Sequence, residues 1–290
     1  MSLANKHRPQ TFEQVIWQKH ITDILKQQIA QNKTSNHNYL FFGPRWTWKT
    51  TCARILSKAI NCLNPKDWDP CNECLNCQTI NRSTTLDYVE IDAASHTWVD
   101  NVREEIIDKV MYPPTQLTKK VYVIDEVHML SKGAFNALLK TIEEPRPNAC
   151  FILATTEIHK VPDTIISRCQ VYNYKKILTD DMTKHLENIC QKESLKYTEK
   201  ALRIISKFSE WCVRDAVKYV DQVSILWEIN EENITKFLGV ASDYVIENFI
   251  TTLKTQDKNL IFQQVESLQE QWVDLYQFAK QTLLDRKSVV

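Results

Sequence analysis

Glycine is scarce in this sequence. Only 3 of the 290 residues are glycine, whereas an average usage of about 7% would give roughly 20. Folded proteins place glycine where the backbone angle φ is positive, because other side chains are strained there. The shortage therefore predicts that some other residue occupies such positions. Tryptophan is the residue to test, since the chain contains 8 of them.

Long apolar runs and an excess of one charge are also missing. No window reaches the roughly 18 apolar residues of a membrane helix, and residues 1–10 hold no stretch typical of a signal peptide. We therefore expect a cytoplasmic protein with no membrane partner. The 36 basic and 36 acidic residues balance, which restricts any DNA contact to a local patch. The apolar fraction of 43% excludes a disordered chain.

Two patterns divide the chain. Up to about residue 177, short apolar runs alternate with segments of helical spacing, which predicts a doubly wound, mostly parallel α/β sheet. Beyond that point helical spacing alone remains, so a boundary is expected near residues 174–180. The predicted strands cover 39–42, 87–91, 121–124 and 150–154, and the predicted helices cover 50–59, 99–110, 132–144, 179–193, 199–209, 213–226, 231–238, 243–254 and 259–284.

A phosphate-binding loop is predicted directly after the first strand. The segment begins at Gly43 and reaches Lys49, Thr50 and Thr51 at the start of a helix. In such loops backbone N–H groups wrap the phosphates, the lysine reaches the β- and γ-phosphates, and the hydroxyl ligates Mg²⁺. The second glycine of the pattern is missing, because Trp48 stands there. Taken alone, the segment leaves an ordinary strand–loop–helix connection open.

Two acids at the end of a buried strand favour the nucleotide site. The apolar run 121–124 ends in Asp125 and Glu126, which is the Walker B pattern. The first acid holds the Mg²⁺ shell, and the second polarises the attacking water. Because α/β sheets bind ligands at their carboxyl edge, a solvated turn is the weaker alternative. His128, two residues further on, is expected to pack.

A cysteine quartet predicts a structural metal site. Cys62, Cys71, Cys74 and Cys77 have the spacing C-x8-C-x2-C-x2-C, and four thiolates can close a tetrahedral Zn²⁺ site with no open position. Nine cysteines in a cytosolic chain favour such a site or core thiols over disulfides. The remaining five are expected to be core or incidental: Cys52, Cys150, Cys169, Cys190 and Cys212.

Short motifs follow one another along the chain in a fixed order. They are KHRPQTF at 6–12, FGPR at 42–45, EIDAAS at 90–95, DEVHML at 125–130, FNALLK at 135–140, EEP at 143–145, ATT at 154–156, SRC at 167–169 and RD at 214–215. Together they make residues 5 to about 240 resemble the gamma/tau clamp-loader family of bacterial DNA polymerase III, which belongs to the AAA+ ATPases. The order and spacing of the motifs make the resemblance specific.

The resemblance implies an architecture. It predicts an α/β AAA+ P-loop domain over residues 1–177, with a zinc module inserted at about 62–80 after the first helix. An all-α lid domain should follow over 178–241. Residues 242–290 should form the start of a helical collar domain, truncated or short compared with the family.

The resemblance also implies roles for single residues. Lys49 and Thr50 would bind phosphate and Mg²⁺, and Thr156 falls at sensor 1, which contacts the γ-phosphate. Arg214 falls at sensor 2, which touches the nucleotide of its own chain. Arg168 resembles the arginine finger, which an AAA+ subunit offers to its neighbour's ATP and which stabilises charge on the transferring phosphoryl group. Without the motif, a surface salt bridge would be the better interpretation of Arg168.

The function implied by the resemblance is ATP-dependent loading of a sliding clamp. The partners would be other clamp-loader subunits in a hetero-oligomeric ring, the sliding clamp and primer–template DNA, with ATP, Mg²⁺ and Zn²⁺ as cofactors. The family is catalogued with DNA-directed DNA polymerase (nucleotidyltransferase) activity as part of its holoenzyme, but no residues here resemble a polymerase active site. Two alternatives stay open: a non-hydrolysing structural subunit like the delta-prime relative, and a related AAA+ recombination or repair ATPase.

Tryptophan stands where the family pattern has glycine. Trp46 and Trp48 replace glycines of the phosphate loop, where an indole blocks close approach of phosphate. One cause could account for every case, namely UGA codons translated as tryptophan although the source organism reads them as glycine. The alternative is a degenerate paralogue with a blocked nucleotide loop, against which the intact Lys49, Asp125 and Glu126 argue. The other positions where glycine is expected or plausible are Trp17, Trp68, Trp98, Trp211, Trp227 and Trp272.

Overall fold

A computed structural model describes residues 2–31, 38–95, 106–144, 146–210, 212–239, 241, 243–270 and 273–286. It divides into two compact units, His7–Leu178 and Met1–Lys6 with Thr179–Val290. The strands are β1 Asn38–Phe42, β2 Tyr88–Asp92, β3 Lys120–Asp125, β4 Ala149–Thr155, β5 Cys169–Asn173, β6 Lys196–Tyr197 and β7 Glu228–Ile229. The helices are α1 Leu3–Lys6, α2 Lys19–Ala30, α3 Lys49–Asn61, α4 Leu75–Arg82, α5 Asp108–Val110, α6 Lys132–Glu143, α7 Asp163–Ile166, α8 Thr179–Lys192, α9 Glu199–Phe208, α10 Val213–Ser224, α11 Glu231–Leu238, α12 Asp243–Thr255, α13 Lys258–Glu270 and α14 Leu275–Arg286.

Five parallel strands form the sheet of the first unit in the order β2-β3-β4-β1-β5. Strand β4 is central, and β1 pairs with β4 on one side and with β5 on the other. Because all the strands run the same way, their carboxyl ends meet at one edge. That edge carries the segments that follow β1, β3 and β4, where the sequence predicts the nucleotide site.

The two faces of this sheet bury different sets of residues, because side chains alternate along a strand. Tyr39 and Phe41 of β1 pack with α2 and α3 on one face. Leu40 lies on the other face, where it packs with residues of α6 such as Phe135 and Leu138. The inner strands β1, β3 and β4 are therefore mainly apolar, as expected for a parallel sheet covered on both sides.

The second unit is mainly helical. Thr198 and Asn230 cap α9 and α11, where each side chain accepts a hydrogen bond from the backbone N–H three residues on. Phe208 and Tyr219 pack edge to face between α9 and α10. Strands β6 and β7 form a small two-stranded sheet, so the expectation of an all-α region was wrong in this detail. Among the described residues no helix has the length and hydropathy needed to cross a membrane.

Other predicted elements also differ from the structure. The single helix predicted over 259–284 is two helices, because α13 ends at Glu270 and α14 begins at Leu275. Asp274 begins the second helix, since its side chain accepts a hydrogen bond from the N–H of Tyr276. The helix predicted over 99–110 lies largely outside the described residues, and only its end is seen as α5.

Candidate nucleotide-binding site and cysteine cluster

The phosphate loop connects β1 to α3 and begins at a glycine that the backbone requires. Gly43 has φ of 151°, and a Cβ atom added there would lie 2.5 Å from the carbonyl oxygen of Tyr174. Its N–H donates to the carbonyl of Thr155 on the neighbouring β4. Any other residue at this position would clash with the backbone, so the loop starts where only glycine fits.

Lys49 is buried within the loop. Only 5% of it is exposed, and Nζ donates to the carbonyl oxygens of Gly43 at 2.9 Å and Pro44 at 2.7 Å. Burial lowers the pKa of Lys49 to about 8, although the carboxylates of Glu126 and Asp125 act in the opposite direction. The ammonium group thus lies between the loop carbonyls and two acids, where an incoming phosphate could replace the carbonyls as its partner.

Thr50 and Asp125 bring two hard oxygen donors together. The Thr50 hydroxyl donates to Oδ2 of Asp125 at 2.6 Å, joining the first turn of α3 to the end of β3. Burial raises the pKa of Asp125, while the hydrogen bonds from Thr50 and from the N–H of Glu126 oppose that rise. A hydroxyl and a carboxylate at this separation suit Mg²⁺, which prefers oxygen ligands and often binds protein through one or two of them.

Glu126 is held by hydrogen bonds from the residue that follows β4. Its backbone is in the left-handed region at φ 46°. Oε2 accepts hydrogen bonds from the hydroxyl of Thr156 at 3.0 Å and from its N–H at 3.3 Å. His128 Nδ1 lies 3.4 Å from the same oxygen and 3.0 Å from the hydroxyl of Thr155. His128 therefore packs, as expected, and in addition contacts the second acid.

Thr51 faces away from the loop. It is 6% exposed, and its hydroxyl oxygen accepts a hydrogen bond from Nε of Arg8 at 3.0 Å. Of the two neighbouring threonines, Thr50 therefore faces the acids, while Thr51 joins the N-terminal segment to α3. The sequence motif predicts the role of Thr50, whereas the contact of Thr51 with Arg8 is seen only in the structure.

The described tryptophans share one backbone conformation. Trp17, Trp46, Trp48, Trp68 and Trp227 have φ between 61° and 73°, the left-handed region in which a Cβ atom is strained and glycine is not. Trp48 is the residue immediately before α3, at φ 73° and ψ 13°. Trp98, Trp211 and Trp272 lie outside the described residues.

The turn at Trp68 is a second kind of site that requires a positive φ. Lys66 and Asp69 exchange both backbone hydrogen bonds, at 3.0 and 2.8 Å. The two residues between them, Asp67 and Trp68, have φ of 48° and 65°. Two successive positive φ values define a type I′ turn, whose favoured dipeptides include Asp-Gly. Tryptophan thus occupies the glycine position of an Asp-Gly turn.

Arg168 lies at the edge of the sheet opposite the phosphate loop. It precedes β5, its carbonyl accepts a hydrogen bond from Asn38 at the start of β1, and Gly43 follows the end of β1. Five residues of strand separate the two edges, about 16 Å at 3.3 Å per residue. Nη2 pairs with Glu143 at 2.6 Å, and 36% of the arginine side chain is exposed.

Arg214 belongs to the second unit. It occupies the first turn of α10, where it is exposed. Cys212 caps this helix, because its Sγ accepts a hydrogen bond from the N–H of Asp215 at 3.3 Å. The structure therefore brings together Gly43, Lys49, Thr50, Asp125, Glu126 and Thr156, whereas Arg168 lies apart from them and Thr51 points elsewhere.

The four cysteines form a cluster beyond the end of α3. Their Sγ atoms all lie within 4.8 Å of one another, and tetrahedral Zn–S bonds of about 2.3 Å would require separations of about 3.8 Å. The N–H groups of Cys71 and Cys74 donate to Sγ of Cys62 and Cys71. Burial opposes the Cys71 thiolate, but N–H donors from Cys74 and Glu73 outweigh it and lower the pKa of Cys71 to about 7. This donor set fits Zn²⁺.

Comparison with known proteins identifies relatives of the chain. The family model described as "DNA polymerase III, delta subunit" matches residues 17–178, which end where the first unit ends. DNA polymerase III subunit tau of Bacillus subtilis is 45% identical over 261 residues, covering 89% of this chain and 46% of tau. DNA polymerase III subunit gamma of Buchnera aphidicola subsp. Baizongia pistaciae is 42% identical over 262 residues, covering 89% of this chain and 70% of gamma. The chain thus spans about half the length of tau.

A solved structure gives the fold. The Holliday junction branch migration motor RuvB of Thermotoga maritima matches with a TM-score of 0.60 over 86% of this chain and 80% of RuvB, at 15% sequence identity. At that identity the likeness shows the AAA+ type of parallel α/β fold and nothing about activity. The tau and gamma relatives are more similar in sequence than RuvB is, at 45% and 42% identity, and their names agree. The chain therefore belongs to the family of DNA polymerase III gamma and tau subunits.

Proposed function

We propose that this chain is an ATP-hydrolysing clamp-loader subunit of DNA polymerase III, acting in the cytoplasm to place a sliding clamp on primer–template DNA. The observation that carries the proposal is the 2.6 Å contact between Thr50 and Asp125, with the buried Lys49 beside it. A chain of this family with these groups at one sheet edge has the parts needed to bind a nucleoside triphosphate.

Residues of the phosphate loop and of β3 have separate roles in binding and hydrolysing ATP. Lys49 leaves the carbonyls of Gly43 and Pro44 and binds the β- and γ-phosphates. Thr50 and Asp125 would hold Mg²⁺, which would neutralise phosphate charge. Glu126 orients the water that attacks the γ-phosphorus and accepts its proton, and the bond to the leaving ADP oxygen breaks. Thr156 contacts the γ-phosphate as sensor 1.

Two arginines complete the proposal. Arg168 acts in trans on the ATP of a neighbouring subunit in a hetero-oligomeric ring, and its position about 16 Å from its own phosphate loop supports this role. Arg214 reaches the nucleotide of its own chain as sensor 2. We propose that residues 178–241 form a lid domain and that residues 242–290 form the start of a collar domain. The collar would carry the contacts between subunits.

The cysteine cluster is proposed to hold a structural zinc ion. Cys62, Cys71, Cys74 and Cys77 supply four thiolates and leave no open position, so the ion would stabilise the fold and take no part in hydrolysis. The zinc module covers about residues 62–80. Metal analysis should find about one zinc per chain, and replacing Cys74 and Cys77 by serine should remove it.

We propose that the protein made in its source organism has glycine at the tryptophan positions. The support is that the described tryptophans have φ of 61–73°, which decay by random substitution would not select. Peptide mass spectrometry of the native protein across residues 46 and 48 should find glycine at both. Tryptophan there would favour the second candidate function, a non-hydrolysing structural clamp-loader subunit whose phosphate loop is blocked.

Reconstitution with clamp-loader partners tests the function. A Trp46→Gly/Trp48→Gly version, assembled with its partner subunits, should load the sliding clamp onto primed DNA only when ATP is present. Adding Lys49→Ala should abolish loading, because it removes a phosphate contact. Loading that continues without a working Lys49 would show that this subunit does not use ATP.

A further inference from the structure

The loop between the first two cysteines contacts the N-terminal segment at a buried point. Phe12 is 1% exposed and Asp69 is 7% exposed. The N–H of Phe12 donates to Oδ1 of Asp69 at 2.5 Å, across 57 residues of sequence. The other carboxylate oxygen of Asp69 pairs with Nζ of Lys26 on α2 at 2.6 Å. One carboxylate in the cysteine loop thus holds two elements that precede the phosphate loop.

A second contact runs through a buried lysine of α3. Lys58 is 1% exposed, and its Nζ donates to Oδ1 of Asn72 at 2.6 Å and to Oε1 and the carbonyl oxygen of Gln10 at 2.9 and 3.2 Å. Asn72 lies between Cys71 and Cys74 and has φ of 61°. Lys58 also interacts electrostatically with Cys77 and Cys62. The lysine therefore joins the cysteine cluster to the N-terminal segment.

These contacts lie along the helix that carries the phosphate loop. The N-terminal segment touches α3 at Thr51 through Arg8 and at Lys58 through Gln10, and it touches the cysteine loop through Phe12. Most of the cysteine loop is exposed, so little apolar burial is available to order it. A metal ion bound by all four cysteines would cross-link the loop and so restrict its conformations.

We propose that the metal-bound cysteine cluster holds the N-terminal segment, residues 8–12, against α3. Asp69 and Lys58 make the contacts through which the ordered cluster fixes this segment. The inference rests on the proposed zinc site but not on ATP hydrolysis. Lys58 has a second effect, since four thiolates around a divalent ion carry a net negative charge that the buried ammonium offsets. It is a positioning residue of the metal site.

Hydrogen exchange of the Phe12 amide tests the clamp directly. The full chain is compared with one equivalent of Zn²⁺ and after chelation, and overlapping peptides resolve the Phe12 amide. Exchange at Phe12 should be slow with zinc and about tenfold or more faster without it, as for a locally opened segment. The Ile124 amide of β3 serves as the internal control for an intact sheet. Equal protection at Phe12 in both states would overturn the proposal.

Variants separate the clamp from metal binding itself. Asp69→Ala, which removes the acceptor of the Phe12 N–H, should accelerate exchange at Phe12 while zinc content stays at one per chain. Asp67→Asn, in the same turn but exposed, should behave like the parent. Lys58→Met should weaken zinc affinity by about 10–100-fold, as for residues that support metal ligands. Unchanged exchange in zinc-loaded Asp69→Ala contradicts the clamp, and a chain that binds no zinc contradicts the metal site as well. The Asp69→Ala comparison decides the question even if chelation unfolds the unit.

Discussion

The hydroxyl of Thr156 donates to Oε2 of Glu126 at 3.0 Å, so the acid proposed to orient water is held by the residue proposed to contact the γ-phosphate. The N–H of Thr156 reinforces this contact at 3.3 Å. A γ-phosphate that engages the Thr156 hydroxyl would remove one of the two hydrogen bonds that restrain Glu126. With these proposed roles, nucleotide binding and release of the acid would be linked through one side chain.

Glu126→Gln should separate binding from hydrolysis. In a Trp46→Gly/Trp48→Gly background, the amide keeps the size of the side chain but cannot act as a base, so the hydrolysis rate should fall by about 10²–10⁴-fold. The dissociation constant for ATP should change little. Glu144→Gln, an exposed site on the same unit, is the control. Equal loss in both variants, or loss of ATP binding in Glu126→Gln, would contradict the assigned role.

ATP binding should weaken as pH rises above about 8. Lys49 in the free protein loses its proton near that pH, because burial lowers its pKa to about 8 while Glu126 and Asp125 raise it and Arg45 lowers it. Bound phosphate needs the ammonium form, so binding takes up a proton and affinity should fall by up to about tenfold per pH unit. Lys49→Arg stays charged and should remove the dependence. A constant affinity between pH 7 and pH 9.5 would contradict the lowered pKa of Lys49 in the free protein or its contact with phosphate.

Arg168→Ala should impair the neighbouring subunit and leave its own ATP binding nearly unchanged. Arginine fingers contribute on the order of 10³ or more in rate, so hydrolysis in the assembled complex should drop steeply. Glu143→Ala is the matched control, because it breaks the same 2.6 Å ion pair but retains the arginine. Both variants should cost at most about 1 kcal/mol of stability, as for exposed pairs. Loss of ATP binding by the isolated Arg168→Ala chain would place the arginine in cis.

Local patterns predicted four of the five strands of the sheet but missed β5, at one edge. Strands β1, β3 and β4 have runs of apolar residues because both of their faces are covered. Strand β5 was not predicted, since its sequence Cys-Gln-Val-Tyr-Asn alternates and contains polar residues. Its place at the edge of the sheet explains the composition, because one side has no strand partner in the described structure.

The phosphate loop and the acids follow from spacing, whereas the contacts around them do not. Gly43, Lys49 and Thr50 belong to one continuous segment whose chemistry is local. The pair Phe12 and Asp69 is separated by 57 residues and the pair Gln10 and Lys58 by 48. No periodicity or motif relates such distant positions, so only the folded chain reveals them.

Trp227, in the second unit, offers a separate test of backbone strain. It is 90% exposed with φ of 70°, so replacing it sacrifices little burial. Trp227→Gly should be more stable than Trp227→Ala by about 1 kcal/mol, because alanine keeps the Cβ atom that is strained in the left-handed region. Urea unfolding of the two variants measures the difference. Identical midpoints would mean that this position does not require glycine.

The phosphate loop itself gives the most direct test of the account. ATP dissociation constants should be measured by calorimetry for the chain with Trp46 and Trp48 and for the Trp46→Gly/Trp48→Gly variant. The indole at position 48 stands at φ 73° immediately before α3, where loop N–H groups must approach phosphate closely. The double variant should bind ATP at least about tenfold more tightly, a difference of about 1.4 kcal/mol. Equal affinity of the two chains would contradict the steric account of the loop and the need for glycine at both positions.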